Sequence, residues 1–346
     1  MSVDLSKLVS KRKITLDELG GRTVAIDAYN MLYQFLTTIR QPDGTPLMNK
    51  NGNVTSHLSG IFYRTSDFLM HDIKPIYIFD GIPSMLKQRT IQARSRKRQE
   101  AYEMWQKAKE EGHVEEAGAY ARVSTRVTKE IADSARKLLD LMGIGYVNAP
   151  SEGEAQASIM CRQGLVHAVA SQDYDTMLFG APLVVRNMSV SGRRKLPNKN
   201  IYINVETELL DLEETKAALG VTQDQIIWIG LMLGTDFNDG ISGIGPKTSL
   251  KIAKQSSSLH EVSEFIKKKY GKEFDFNINE VEHLFKNPEV KELNSEDIKS
   301  LLSHRVDKHG LMQFMCEEND FGVERIEKFV DQIIKKNSAS NQKRLF

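Results

Sequence analysis

The chain has 346 residues, enough for a large core or for one catalytic domain with appended elements. It is 40% hydrophobic and 27% charged, ordinary for a soluble globular protein, and a formal net charge of +1 leaves any nucleic-acid partner to be met by local basic clusters. Widely separated Cys161 and Cys316, a longest strongly apolar run of only Ile226–Leu233 and a charged N-terminus exclude a disulfide framework, a zinc site, a bilayer span and a signal peptide, so an intracellular protein is expected.

In chain order, short β-branched runs alternate with longer helical patterns, which predicts an α/β fold with a mostly parallel central sheet flanked by helices. The candidate strands are Thr23–Ala28, Pro75–Asp80, Tyr146–Asn148, His167–Ser171, Leu183–Arg186 and Ile201–Val205. Several are continuous apolar runs, the pattern of strands buried on both faces. Asp43–Thr55, with Gly44, Gly52 and several asparagines, reads as an exposed loop. Ser84–Glu111 and Val114–Leu141 are helical stretches broken near Gly112. After Thr222 the pattern is helical again, with an interruption at Gly240–Gly245. Residues 1–336 are expected to form a single domain, and the polar segment Asn337–Phe346 a flexible tail.

The carboxylates fall at strand ends. Asp27 closes Val24-Ala25-Ile26, and Asp80 closes Ile76-Tyr77-Ile78-Phe79. Glu152 and Glu154 follow Tyr146–Pro150, and Asp173 and Asp175 follow Ala168–Ser171. Parallel α/β sheets place ligands outside the carboxyl ends of their strands, so these six acids should share one edge, with Asp236 folding back to join them. Such a cluster cannot stay ionised unaided. Magnesium, a hard cation that takes oxygen ligands and keeps water, is the natural partner. Two such ions roughly 3.5–4 Å apart can clamp an in-line displacement at phosphorus. Each acid also has a plainer reading: Ser151-Glu152-Gly153-Glu154 fits a capping box, Asp173-Tyr174-Asp175 a turn, and Asp27 or Asp80 a helix cap.

Val24–Ala28, Phe79-Asp80-Gly81, Ala149–Ala157, Ser171–Asp175 and Gly243–Lys247 together resemble the flap endonucleases of archaea and eukaryotes, in the XPG-like family of structure-specific 5′ nucleases. The resemblance runs from Leu8 to about Phe329, without the large insertion of the XPG repair nuclease or the long tail of the exonuclease branch. It implies a first metal site from Asp27, Asp80, Glu152 and Glu154 and a second from Asp173, Asp175 and Asp236, both filled by Mg2+ with Mn2+ as a substitute. It also implies cleavage near the base of a 5′ flap in lagging-strand maturation and DNA repair, accompanied by 5′–3′ exonuclease action. The implied location is the cytoplasm of an archaeon or the nucleus of a eukaryote. Ser2 departs from the glycine usual in the family.

Lys87 and Arg94 lie seven apart, on one helical face, and match family positions that face the active site. Cations there would neutralise charge growing in the transition state. Arg89, Arg96, Lys97 and Arg98 read equally well as solvated surface. The resemblance makes residues about 84–136 an arch over the flap, and Tyr33 a stacking platform for a terminal base. Gly243-Ile244-Gly245, with Lys247, Lys251 and Lys254, resembles the family's helix–turn–helix duplex grip, spanning about 223–256, which often also holds K+. Thr55, Phe321 and Arg325 match a pocket for a one-nucleotide 3′ flap. Gln342, Leu345 and Phe346 match the first part of a motif for the sliding clamp (PCNA), which predicts weak clamp binding by this chain. Branched DNA (5′ flap, double flap or nicked duplex) is the implied partner of a monomer, with no membrane contact. Two rivals are a non-catalytic junction binder and an aspartyl-phosphate phosphatase built on Asp173-Tyr174-Asp175-Thr176.

Overall fold

A computed structural model describes residues 3–189, 192–195 and 202–343. The first half runs β1 (Lys11–Ile14), β2 (Thr23–Asp27), α1 (Ala28–Thr38), α2 (Ser56–Met70), β3 (Lys74–Phe79), α3 (Gln88–Glu110), α4 (Val114–Val123) and α5 (Lys129–Leu141). There follow β4 (Tyr146–Asn148), α6 (Gly153–Arg162), β5 (Ala168–Ala170), α7 (Asp175–Leu178), β6 (Leu183–Arg186), β7 (Gly192–Lys195), β8 (Tyr202–Val205) and β9 (Thr207–Asp211). The remainder is helical: α8 (Leu212–Leu219), α9 (Gln223–Leu233), α10 (Pro246–Gln255), α11 (Leu259–Tyr270), α12 (Ile278–Lys286), α13 (Ser295–Leu301), α14 (Lys308–Met312) and α15 (Val323–Lys343).

Seven strands form the main sheet in the order β1-β9-β6-β5-β2-β3-β4. The five from β6 to β4 are parallel, and β9 and β1 extend the β6 edge antiparallel. Side chains alternate between two cores, one on each face. Ala25, Ile76 and Ile78 pack on one side, and Val24, Ile26, Tyr77 and Phe79 on the other. Burial on both faces explains why these strands read as unbroken apolar runs.

Five of the six expected strands lie in this sheet, within one or two residues at each end. The sixth, at Ile201–Val205, is also a strand, Tyr202–Val205, but it pairs with β7 in a separate two-stranded antiparallel ribbon. β1 and β9 were missed because Lys11–Ile14 is charged and exposed along most of its length, and β9 leads into α8 with no turn between them. The expected helix Val114–Leu141 is two helices, since Thr128 caps a fresh start by accepting from the Ile131 amide. The segment 41–55 is more tightly built than an exposed loop. Gly44, Pro46, Asn49 and Thr55 are buried, and short bridges join Arg40 to Pro46 and Met48 to Val54. The backbone is helical to Lys343 where a flexible tail was expected from Asn337, because no Gly or Pro interrupts the amphipathic pattern of α15. Leu345 and Phe346 lie outside the described residues, as does the side chain of Gln342.

Candidate active site

The site forms where the sheet changes winding direction. β2 lies between β3 and β5, so successive connections leave it on opposite sides and open a crevice at the carboxyl ends of β2 and β5. Asp27 stands at that crevice from β2, and Ser171 and Asp173 stand there from the turn after β5. Asp80 and Glu152 arrive from the ends of β3 and β4, and Glu154 from the first turn of α6.

Hydrogen bonds fix the carboxylates. The Asn30 amide donates to Asp27 Oδ1 at 2.9 Å, so Asp27 caps α1 while facing the crevice. Ser171 Oγ lies 3.2 Å from Asp27 Oδ2 and 3.3 Å from Glu154 Oε1, and accepts from the Asp173 amide. Asn30 Nδ2 donates to Asp173 Oδ2 at 3.1 Å. The Val3 amide donates to Asp175 Oδ1 at 3.0 Å, tying the amino-terminal segment to the site. Asp80 Oδ1 accepts from the Gly153 amide at 2.7 Å, a contact that needs glycine, since a Cβ there would lie 2.6 Å from the same oxygen. The capping box at Ser151–Glu154 does not form: α6 is capped at Glu152, and Glu154 is turned into the cluster.

Lys87 and Arg94 answer the acids from above. Lys87 Nζ is 2.5 Å from Glu152 Oε2 and 3.3 Å from Asp236 Oδ2, and Arg94 pairs with Asp236 Oδ1. Asp236 is thus drawn to the cluster through its cations. Burial pushes the carboxyl of Asp27 up to about 8, helped by Asp80, and that of Asp175 up to about 7, helped by Asp236. Glu154 is also raised by burial and by Asp173, and Asp80 by burial and by Glu152. Burial alone would raise Asp236, but Lys87 and Arg94 outweigh it and hold that carboxyl below its ordinary value.

Among the described residues the seven acids outnumber Lys87 and Arg94, the cations paired with them. Asp27, Glu154 and Asp173 each offer an oxygen within 4.8 Å of the other two, and Glu152 Oε1 is buried without a protein partner. An all-oxygen set of this kind fits a hard divalent cation. The trio crosses the division implied by the resemblance, because Ser171 draws Asp27, Glu154 and Asp173 together. Sequence reading passed over the orienting roles of Ser171 and Asn30. The Asp27-x-x-Asn30 spacing, which lets the aspartate cap the helix that carries Asn30, was the available signal.

The other expected residues sit around this centre. Tyr33 is 38% exposed on α1, with its hydroxyl 3.5 Å from the Arg122 carbonyl, so it is no core residue. Gly243 has φ +84°, and Gly245 caps α10, whose first residue is Pro246. Lys247, Lys251 and Lys254 are all exposed on α10, and Lys254 Nζ donates to the Leu219 carbonyl at the end of α8, 2.8 Å away. Lys272 Nζ donates to the Ser242 carbonyl beside Gly243. Thr55, Phe321 and Arg325 belong to segments joined by Asn49 Nδ2 to the Glu318 carbonyl, 3.1 Å, and the Lys50 amide to Asp320 Oδ2, 2.6 Å. Arg325 is stacked on Tyr63, with its guanidinium 4.4 Å from the ring centre.

Comparison with known proteins agrees with this geometry. A family model of the XPG N-terminal domain matches residues 3–101, and one of the XPG I-region matches 143–236. The chain is 46% identical to Flap endonuclease 1 of Methanosarcina acetivorans, over all of this chain and 99% of that one. It is 45% identical to Flap endonuclease 1 of Thermococcus onnurineus, over all of this chain and 98% of that one. The solved flap endonuclease-1 from Methanococcus jannaschii superposes with a TM-score of 0.75 at 37% identity, covering 98% of this chain and 99% of that one. The catalytic core of Rad2 in complex with DNA, at 23% identity and TM-score 0.68, shares the fold over 96% of this chain and all of that one.

Proposed function

The chain belongs to the flap endonuclease family of XPG-type nucleases, and from that membership and its site we infer that it hydrolyses a DNA phosphodiester at the base of a 5′ flap. Lagging-strand maturation and repair are the processes such an activity serves, and 5′–3′ exonuclease action would accompany it. The carrying observation is the meeting of strand-end acids with Lys87 and Arg94 in one crevice. The phosphatase alternative fails locally, because the Thr176 hydroxyl is spent on the Asp173 carbonyl at 2.9 Å. Cleavage assays on a 5′ flap, a nicked duplex, a Holliday junction and plain single strand test the reading. Fast cutting of the flap with slower exonucleolytic cutting at the nick is expected, and a chain that binds every branched form and cuts none would be a junction binder.

We place two Mg2+ ions among Asp27, Asp80, Glu152 and Glu154 and among Asp173, Asp175 and Asp236, with Mn2+ able to substitute. When bound, such a pair activates water and offsets charge on the leaving oxygen. The raised carboxyls give a test. Between the ordinary aspartate value of 3.8 and their raised values, Asp27 and Asp175 hold more protons in the folded chain than in the unfolded one. Their contribution to the stability of the metal-free protein therefore falls as pH rises from about 4 towards 8. A cation that binds the ionised carboxylates opposes that loss, so saturating magnesium should raise the melting temperature more at pH 8 than at pH 6. Equal shifts at the two pH values would put the ions elsewhere.

We propose α3 and α4, within about 84–136, as the arch over the flap, and Tyr33 as the base platform. Thr55, Phe321 and Arg325 are proposed for the 3′ flap. The turn before α10, within about 223–256, would hold duplex phosphates through exposed amides, Lys247, Lys251 and Lys254. Lys247→Ala should reduce the log–log salt slope of duplex binding by roughly one, the double change with Lys251 by roughly two, and the triple change that adds Lys254 by roughly three. Unchanged slopes for the first two would leave the turn as structure only. A potassium ion is proposed for the same helix–turn–helix element, where the Ser242 carbonyl accepts from Lys272 and keeps a second lone pair.

No helix among the described residues is long and apolar enough to cross a membrane, and we take the protein to work inside the cell as a monomer. The end of the chain, Gln342, Leu345 and Phe346, is proposed as a weak contact for a sliding clamp (PCNA). Titrating a clamp against this chain, and against one extended by a Phe-Phe pair, tests this. Tight binding without the extension, or no gain on adding it, would contradict the proposal.

A further inference from the structure

The α3–α4 hairpin is tied down at two places, and only one of them is the acidic cluster. At the far end of α3, about 15 residues beyond Arg94 and so roughly 20 Å along the axis, Trp105 and Lys109 meet the turn 41–46 that follows α1. Trp105 Nε1 donates to the Asp43 carbonyl at 3.1 Å. Lys109 Nζ lies 3.3 Å from Asp43 Oδ2 and donates to Thr45 Oγ1 at 2.8 Å. Arg40, two residues past α1, closes the same junction, donating to the Gly44 carbonyl and, at 2.7 Å, to Thr125 Oγ1 just past α4.

The packing beneath these bonds is close. Gly44 is buried at φ +81° against α4, where an added Cβ would lie 2.4 Å from Ala121 Cβ and 3.1 Å from the Ala117 carbonyl. On the facing side, a Cβ on Gly118 would come within 3.2 Å of the Pro42 carbonyl. Small residues on α4 and a left-handed glycine in the turn let two backbones touch, and an ion pair and an indole hydrogen bond lie alongside. A solvated helical hairpin needs none of these features.

We propose that the turn 41–46 is a seat for the hairpin, and that Asp43, Trp105 and Lys109 are positioning residues for the cleavage reaction, fixing the axis of α3 so that Lys87 and Arg94 stay over the acids. The proposal rests on the flap endonuclease reading for its catalytic consequence, but not for the seat itself. Three variants of the full chain test it: Asp43→Lys, Lys109→Asp and the exchanged pair together. Two readouts are taken, the rate of tryptic cutting within residues 88–123 of the DNA-free protein, and single-turnover flap cleavage beside duplex affinity. Each single variant should be cut by trypsin several times faster. Each should also cleave flap about tenfold more slowly at unchanged affinity, short of the hundredfold that a full ångström of misplacement costs. The exchanged pair should do better than the worse single variant in both readouts, though short of wild type, because Asp43 also accepts from the Thr45 amide and hydroxyl at 2.9 and 2.8 Å and a lysine cannot. Wild-type tryptic rates in the single variants, or an exchanged pair no better than the worse single, overturn the seat. Faster tryptic cutting with unaltered cleavage overturns the positioning role. A wild-type chain that cuts no flap removes the functional reading instead, and the tryptic cycle still decides the seat. Gly44→Val, which forces turn and α4 apart, should reproduce the single variants without touching a charge, and wild-type behaviour there also overturns the seat.

Discussion

Asp175→Asn should reduce flap cleavage on the order of 1,000-fold or more while leaving flap affinity nearly intact, since metal stabilisation of a phosphoryl transition state is worth several kcal/mol. The substitution is close to isosteric, and the new side-chain oxygen can still accept from the Val3 amide that Asp175 Oδ1 now binds at 3.0 Å. Folding therefore should not suffer. Asp175 is 2% exposed, and its carboxyl is pushed up by burial and by Asp236, so ionising it in the metal-free chain costs free energy that the amide does not incur. The variant should melt at a higher temperature than the wild type without metal, and magnesium should raise that temperature less. Lost turnover with gained metal-free stability is the mark of a residue kept for function, as at other strained sites. Near-normal turnover at saturating magnesium would remove Asp175 from the metal site. A drop in stability would show that the cluster is held together chiefly by its hydrogen bonds.

The sequence made this centre legible because the chemistry sits on the most readable elements. Asp27 and Asp80 end strands whose apolar runs are buried on both faces, so each strand and its terminal acid announce one another. The edge was harder to see. Lys11–Ile14 becomes a strand only because β9 is there to pair with it, and such pairing leaves no periodic signal in a short charged segment. Local signals also misled. Ser151-Glu152-Gly153-Glu154 has the form of a capping box, yet the helix is capped one residue later, at Glu152, and the Glu154 side chain turns to Ser171 in the crevice. The ties of Trp105 and Lys109 to Asp43 join residues about 60 apart, a distance that no pattern within either segment could reveal.

Lys87→Ala and Arg94→Ala should each slow single-turnover cleavage by about 100-fold or more, the cost of deleting one preorganised contact to developing charge. Affinity for the flap should change far less. The competing view is that both cations serve only to hold the acids together, since Lys87 pairs with Glu152 and Asp236, and Arg94 with Asp236. Charge arithmetic separates the two views. Either substitution removes a positive charge from an acidic crevice, so a divalent cation should bind the variants more tightly than the wild type. If the cations only offset repulsion among carboxylates, raising magnesium should restore the rate. If they act on the phosphodiester, the rate stays low once the metal sites are saturated. Burial by itself would lower the Lys87 ammonium, but Glu152 and Asp236 hold it above its ordinary value, so it remains a cation across the working pH range. That charge is available to the scissile phosphate if the substrate displaces Glu152 and Asp236 as its partners. Lys87→Arg keeps the charge but replaces a compact ammonium with a planar fork in a space where the side chain is 17% exposed, so it should recover only part of the rate. A loss seen in affinity and not in rate, for either residue, would make it a phosphate anchor and leave the transition state to the carboxylates and their metals.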